Sequence, residues 1–296
     1  MTTYYLLRIG SAVSRVAPLR LLYAVASLLA RLAALPPTPA RAAVRDNIAR
    51  VVDRPPTSLA VRRAAATAFR CQALNYVDLV RLDRVTRAEY AANVVHGDLA
   101  PFQDLIARGK GAIIVSAHVG NMDYVGQWLA LNGYPIHALM EELKPAKLFD
   151  LVRRQREGAG IHMHPLRQDA IATLTGILRK GGVVALIADR NIGGGGERVP
   201  FFGAEATLPA GPALLALRTG APIVAAFGRR LPDNRLYVSV SPPVYLERTH
   251  NLRAALRAGM DAIVRMLEDG IRATPEQWIV FEPVWSNGAG HEEKAA

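Results

Sequence analysis

The chain has 296 residues, 51% hydrophobic and 21% charged, which is enough apolar material for one large core and excludes a disordered chain. Nineteen Pro and 24 Gly in no fixed period exclude a collagen-like chain, and the single cysteine, Cys71, excludes an internal disulfide framework or a cysteine-rich metal centre. The formal net charge is +11, and six arginines (Arg8, Arg15, Arg20, Arg31, Arg41 and Arg45) precede the first acid, Asp46. A nucleic-acid protein spreads its cations over a face and carries a recognisable motif. Here aromatics are only 6% and the cations sit in an apolar segment, so nucleic acid is not expected as a partner.

In chain order, Tyr4–Leu35 is apolar, but its longest charge-free run is Leu21–Ala30, half of the roughly 20 residues a membrane span needs. Pro18 divides it into two helical segments. Arg8 and Arg15 share one face of the first and Arg20 and Arg31 one face of the second, so each is an apolar cylinder with a cationic stripe. Two readings stand: a helix pair packed on the domain, or helices lying in an anionic membrane interface. The early start and length of the apolar stretch argue against a signal peptide. Pro36, Pro37 and Pro39 stop the second helix and Pro55–Pro56 mark a further break. Residues 58–82 read as a helix. Beyond residue 111, β-branched runs at 112–116, 135–140, 161–164, 182–188, 222–228 and 235–240 alternate with helical stretches near 121–132, 146–158, 168–180, 210–219 and 250–272. That alternation predicts an α/β fold with a mostly parallel central sheet flanked by helices, preceded by an amphipathic helical segment. The division expected is 1–55 for the helical segment, 56–290 for the core and 291–296 for a disordered tail.

In open α/β sheets ligands gather at the carboxyl ends of strands. His118 lies there, in the loop after 112–116, with Gly120 for a tight corner, Asn121 as a helix cap and Asp123 in the first helical turn. An imidazole and a carboxylate so placed can meet, fixing the tautomer and raising the basicity of the free nitrogen. The amides around Gly120 and Asn121 are candidate donors for an oxyanion. After 182–188 come Asp189 and Arg190, with Arg190 suited to a phosphate, and then four glycines and Glu197, suited to sugar hydroxyls. No Gly-Lys-Ser/Thr follows the glycines, so they are no Walker loop; direct contact and a flexible lid both remain open. Lys144, Lys147, Arg153, Arg154 and Arg156 form a basic cluster, either for donor phosphates or anionic head groups, or as a solvated helix face. His162 and His164 alternate on one strand without a third ligand at zinc-like spacing, and no metal is expected.

The segment His118-Val-Gly-Asn-Met-Asp123 resembles the His-x4-Asp/Glu motif of glycerolipid acyltransferases. In its His-x-Gly-Asn-x-Asp form it is similar to the lipid A lauroyl/myristoyl acyltransferase family, which includes phosphatidylinositol mannoside acyltransferases. The resemblance continues in Arg45-Asp46-Asn47-Ile48, Ala188-Asp189-Arg190-Asn191, Val199–Gly203, Gly211-Pro212-Ala213, Leu217–Pro222, Pro275-Glu-Gln-Trp278 and Trp285, over roughly residues 5–286. It implies a membrane-associated O-acyltransferase that moves a fatty acyl group from an acyl-CoA or acyl-carrier-protein thioester to a glycolipid hydroxyl. His118 would be the general base and Asp123 its partner. Neither a covalent intermediate nor a cofactor beyond the thioester co-substrate is implied, and no Gly-x-Ser-x-Gly elbow is present. Gly120, Asn121, Lys144, Arg154, Asp189, Arg190 and Glu197 are the expected substrate-binding residues. The implied location is the cytoplasmic face of the plasma membrane, peripheral or monotopic. The alternative is a non-catalytic lipid-binding protein of the same fold.

Overall fold

The computed structural model describes residues 2–158, 160–167, 169–192 and 196–285. The expected 291–296 tail and part of the four-glycine loop lie outside them. Four helices open the chain: α1 (Thr2–Val13), α2 (Leu19–Ala33), α3 (Pro39–Val51) and α4 (Leu59–Leu79). Then come α5 (Arg87–Asn93), β1 (Val94–His96), α6 (Ala100–Ala107), β2 (Ala112–Ser116), α7 (Met122–Leu131), β3 (Ile136–Met140), α8 (Ala146–Glu157), β4 (His162–Pro165), α9 (Ala170–Arg179) and β5 (Val183–Ile187). A hairpin, β6 (Gly196–Phe201) and β7 (Ala204–Pro209), precedes α10 (Gly211–Thr219), β8 (Ile223–Arg230), β9 (Leu236–Val240) and α11 (Leu252–Ala273).

Seven strands form one sheet in the order β1-β9-β8-β2-β5-β3-β4, in which only β8–β9 is antiparallel. β2 and β5, apolar runs covered on both faces, sit at its centre, as parallel strands must. One apolar cluster packs α9, α10, α11 and the hairpin on one face, and a second packs α5 to α8 on the other. This is the α/β architecture expected, with a mostly parallel sheet flanked by helices. A third cluster, Val44, Ile48, Val61, Ala65, Ala68 and Cys71, joins α3 to α4 and takes in Ile279.

Local chemistry sets the helix starts. Thr38 accepts a hydrogen bond from Arg41 N (3.2 Å) with Pro39 at the first helical position, so the proline read as a stop begins α3. Asn121 Oδ1 accepts from Tyr124 N at 3.0 Å and opens α7. The N-terminal helices differ from expectation in one detail: α1 ends at Val13, so Arg15 is not on the same helix as Arg8. α2 packs its small residues Ala26 and Ala30 inward and faces α4, while Leu21, Val25, Leu28, Leu29 and Leu32 stay exposed. α1 likewise turns Tyr4 and Leu7 toward the core and leaves Tyr5, Leu6, Ile9 and Val13 outside. No helix among the described residues is long and apolar enough to cross a membrane.

Candidate active site

The register of the two central strands builds the site. Ser116 of β2 lies opposite Ile187 of β5, and two residues further along each strand stand His118 and Asp189. His118 Nδ1 is 2.7 Å from Asp189 Oδ1, and the His118 amide donates to Oδ2 at 2.9 Å. Trp278 Nε1 donates to the same Oδ2 at 2.8 Å. The Asp189 side chain is fully buried, whereas the imidazole keeps 18% of its surface exposed. Burial alone would raise the Asp189 pKa, but the adjoining His118 and the three hydrogen bonds outweigh it and hold the carboxyl below its usual range. An ionised Asp189 accepts a hydrogen bond from Nδ1–H and leaves Nε2 as a hydrogen-bond acceptor.

The carboxylate that meets His118 is therefore Asp189, 71 residues away, and not Asp123 as expected from the motif. No hydrogen bond or ion pair joins Asp123 to His118 among the described residues. Asp123 instead faces Arg156, whose Nε lies 2.8 Å from Oδ1 and whose Nη2 donates to Oδ2 at 3.1 Å. The turn into α7 carries Asp123 away from the strand axis that His118 and Asp189 share, which is why four residues of sequence do not become a contact.

The loop that carries His118 is held on every side. Its carbonyl accepts from Ile279 N (2.8 Å), Gly120 N donates to Gln277 O (3.0 Å) and Asn121 N donates to Gly228 O (2.9 Å). Gly120 has φ +60°, and a Cβ there would strike the Gly228 carbonyl. Both amides proposed for an oxyanion thus have acceptors in the fold, which corrects that assignment. Asn121 is likewise occupied: buried, it caps α7 with Oδ1 and donates from Nδ2 to Asp78 Oδ2 at 2.7 Å. Its expected place in substrate binding is taken by a structural one.

Other predicted residues spread out. Arg190 pairs with Glu282 (Nε···Oε1 2.5 Å) and so ties the β5 loop to the segment after Trp278. Glu197 is exposed on β6, opposite Leu208. Lys144 is exposed before α8, and Arg154 lies on the exposed side of α8 with its Nε donating to Asp150 O. Arg153 is shared between Asp150 and Glu157, each at 3.6 Å, so the basic cluster does not converge on one point. His162 and His164 do gain a third imidazole: His137 of β3 stacks on His162 with centroids 4.6 Å apart and bonds His164 at 3.0 Å. Among the described residues no group of three or more His, Cys, Asp or Glu is arranged to hold a metal ion.

Sequence reasoning missed a buried polar network behind the loop. Arg230 Nη2 donates to Asp78 Oδ2 (2.5 Å) and Asn75 Oδ1 (3.0 Å), and Tyr23 Oη donates to Asp78 Oδ1 (2.5 Å). Asn75 Nδ2 donates to Gly120 O, and Gln277 exchanges two hydrogen bonds of 2.7 Å with the Arg230 backbone. The network ties α2 and α4 to the His118 loop, with Asp78, Arg230 and Gln277 buried and Tyr23 and Asn75 partly so. The Pro275–Trp278 motif was the one sequence signal of it.

The result is an α/β protein with a buried aspartate fixing an imidazole at the carboxyl edge of a mostly parallel sheet, and among the described residues no serine or cysteine side chain is hydrogen-bonded to that imidazole. The sequence comparisons place it more closely. The model of the family described as bacterial lipid A biosynthesis acyltransferase matches residues 1–287, and the chain belongs to this family of O-acyltransferases. It is 29% identical over 259 residues to a phosphatidylinositol mannoside acyltransferase of Mycobacterium tuberculosis, covering 82% of this chain and 76% of that one. To the protein of the same name from Mycolicibacterium smegmatis it is 27% identical over 264 residues, with 85% and 82% covered.

Proposed function

We propose that the protein transfers a fatty acyl group from an acyl thioester, acyl-CoA or acyl-carrier protein, to a hydroxyl of a glycolipid of the phosphatidylinositol mannoside or lipid A type, with His118 as general base and Asp189 as its orienting partner. The observation that carries this is the three-bonded Asp189 fixing Nδ1 of a partly exposed imidazole. Nε2 takes the acceptor O–H proton as the oxygen attacks the thioester carbonyl. The C–S bond then breaks, and the departing sulfur receives that proton from the imidazolium. No enzyme nucleophile takes part. Asp123, braced by Arg156, is assigned to positioning substrate near the start of α7.

The place of work in this reading is the cytoplasmic face of the plasma membrane, bound peripherally. What supports it is the exposed apolar surface of α1, α2 and the turns that follow them, including Leu6 (63% exposed) on α1, Val16 (85%) after α1 and Leu35 (67%) after α2, interleaved with Arg8, Arg15, Arg20 and Arg31 and free of acids. His118→Ala tests the chemistry. With acyl-CoA and vesicle-borne phosphatidylinositol mannoside, the rate of acylated product by mass spectrometry should fall about 10²- to 10⁴-fold. Transfer near the wild-type rate would remove His118 from the mechanism.

A further inference from the structure

The Arg45-x-Asn47 element is half explained by the fold. Asn47 is buried and bonds Val280 O, Glu282 O and Val284 N, so it fastens the segment after Trp278 onto α3. Arg45 does nothing of the kind. Among the described residues its guanidinium makes no hydrogen bond and no ion pair, and its Nε is buried without a partner.

Its neighbours make this unusual. Arg41 precedes it by one helical turn on the same face of α3, and the Nε of Arg41 is also buried and unpartnered. Arg62 lies in the first turn of α4, which packs against α3 through Val44, Ile48, Val61 and Ala65. Burial and then the nearness of Arg41 and Arg62 depress the pKa of Arg45. Asp46, the adjacent acid, is exposed and forms no ion pair with any of the three. Three arginines near enough to repel, none of them in an ion pair among the described residues, leave room for an anion from outside.

The surroundings indicate which anion. Arg41 Nη1 donates to Leu35 O at 2.6 Å, which pins the cluster to the end of α2. Leu32 and Leu35 of that end are exposed, and Leu59, one turn before Arg62 on α4, is exposed as well. Cations flanked by uncovered leucines match a lipid, with its phosphate on the guanidiniums and its chains beside the leucines. A soluble phosphate has no use for the leucines.

We propose that Arg41, Arg45 and Arg62 form a binding site for the phosphate of an anionic membrane lipid at the α2–α3 junction. It rests on the membrane-surface reading above and gives that surface a defined contact. The test is sedimentation of the full chain with vesicles of phosphatidylcholine alone and with about one lipid in three replaced by phosphatidylinositol. Wild type should favour the anionic vesicles. Arg45→Gln should weaken that binding about five-fold, and joint replacement of all three arginines by Gln about 100-fold, at about 1 kcal/mol per cation. Binding to neutral vesicles should be unchanged. Because the substitution relieves repulsion, the thermal midpoint of Arg45→Gln should equal or exceed that of wild type. Anionic binding as tight as wild type, or a lowered midpoint, overturns the site. So does Arg45-dependent binding of free coenzyme A with vesicle binding untouched, which would move the phosphate to the donor. Wild type that binds neither kind of vesicle overturns the membrane reading itself.

Discussion

Asp189→Asn alters one atom in a fully buried position, and the three donors around it determine the result. Oδ2 accepts from His118 N and Trp278 Nε1, and Oδ1 accepts from His118 Nδ1. An asparagine with its oxygen in the Oδ2 position keeps both fixed N–H donors satisfied. Its NH₂ then donates to Nδ1, which forces the imidazole proton onto Nε2 and removes the base. The opposite orientation keeps the working tautomer but turns an NH₂ toward two N–H groups. Each unmade buried hydrogen bond costs about 1–3 kcal/mol, so this orientation lies about 2–6 kcal/mol higher. At about 1.4 kcal/mol per factor of ten, the competent population falls roughly 30- to 20,000-fold. Because the favoured orientation satisfies all three bonds, the fold should persist, with a thermal midpoint within a few degrees of wild type. The assay is acyl transfer from acyl-CoA to vesicle-borne glycolipid, read as kcat alongside thermal unfolding. A folded variant retaining kcat within about three-fold of wild type refutes the orienting role of Asp189.

Two further outcomes concern stability. Asp78→Ala strands Arg230, whose side chain is 3% exposed, and should cost about 3–5 kcal/mol in urea unfolding. Asp78→Leu combined with Arg230→Met should recover part of that loss, and equal stability of wild type and Asp78→Ala would show that the pair is dispensable. Burial first, then His162 and His164, lowers the His137 pKa from 6.5 to about 4. Folding therefore favours the neutral imidazole: its contribution is full above pH 6.5 and is lost as pH falls toward 4. An acid titration of the unfolding midpoint should be flatter for His137→Gln than for wild type over that window, and superimposable curves would contradict the assignment.

Much of the sheet was legible in the chain. Each strand expected between 112 and 240 is found within two residues, because apolar β-branched runs bounded by turns have little alternative use. α3 was missed because Pro39 reads equally as a stop and as a first helical residue; Thr38 before it was the deciding cue. The β6–β7 hairpin was missed because its turn is Phe202-Gly203, with φ of +47° and +76°, where Asn-Gly would have announced it. The site divides the same way. The position of His118 in the loop after a buried strand was legible, as was that of Asp189 after β5. Their pairing was not, since it depends on β5 lying beside β2 in a given register, and strand order is not written in local sequence. The Asp78–Arg230 network, 152 residues apart, left no local trace.

The dependence of the His118 loop on Gln277, Trp278 and Ile279 sets an order of events during synthesis. Every strand of the sheet has been translated by residue 240, yet the indole that holds Asp189 and the backbone partners of His118 and Gly120 follow α11. A chain growing from its N-terminus can assemble sheet and helices while the imidazole is still unset. Asn47 then captures the segment 280–284 as it emerges. The nascent protein thus acquires its exposed apolar helices before the contacts that brace His118 and Asp189.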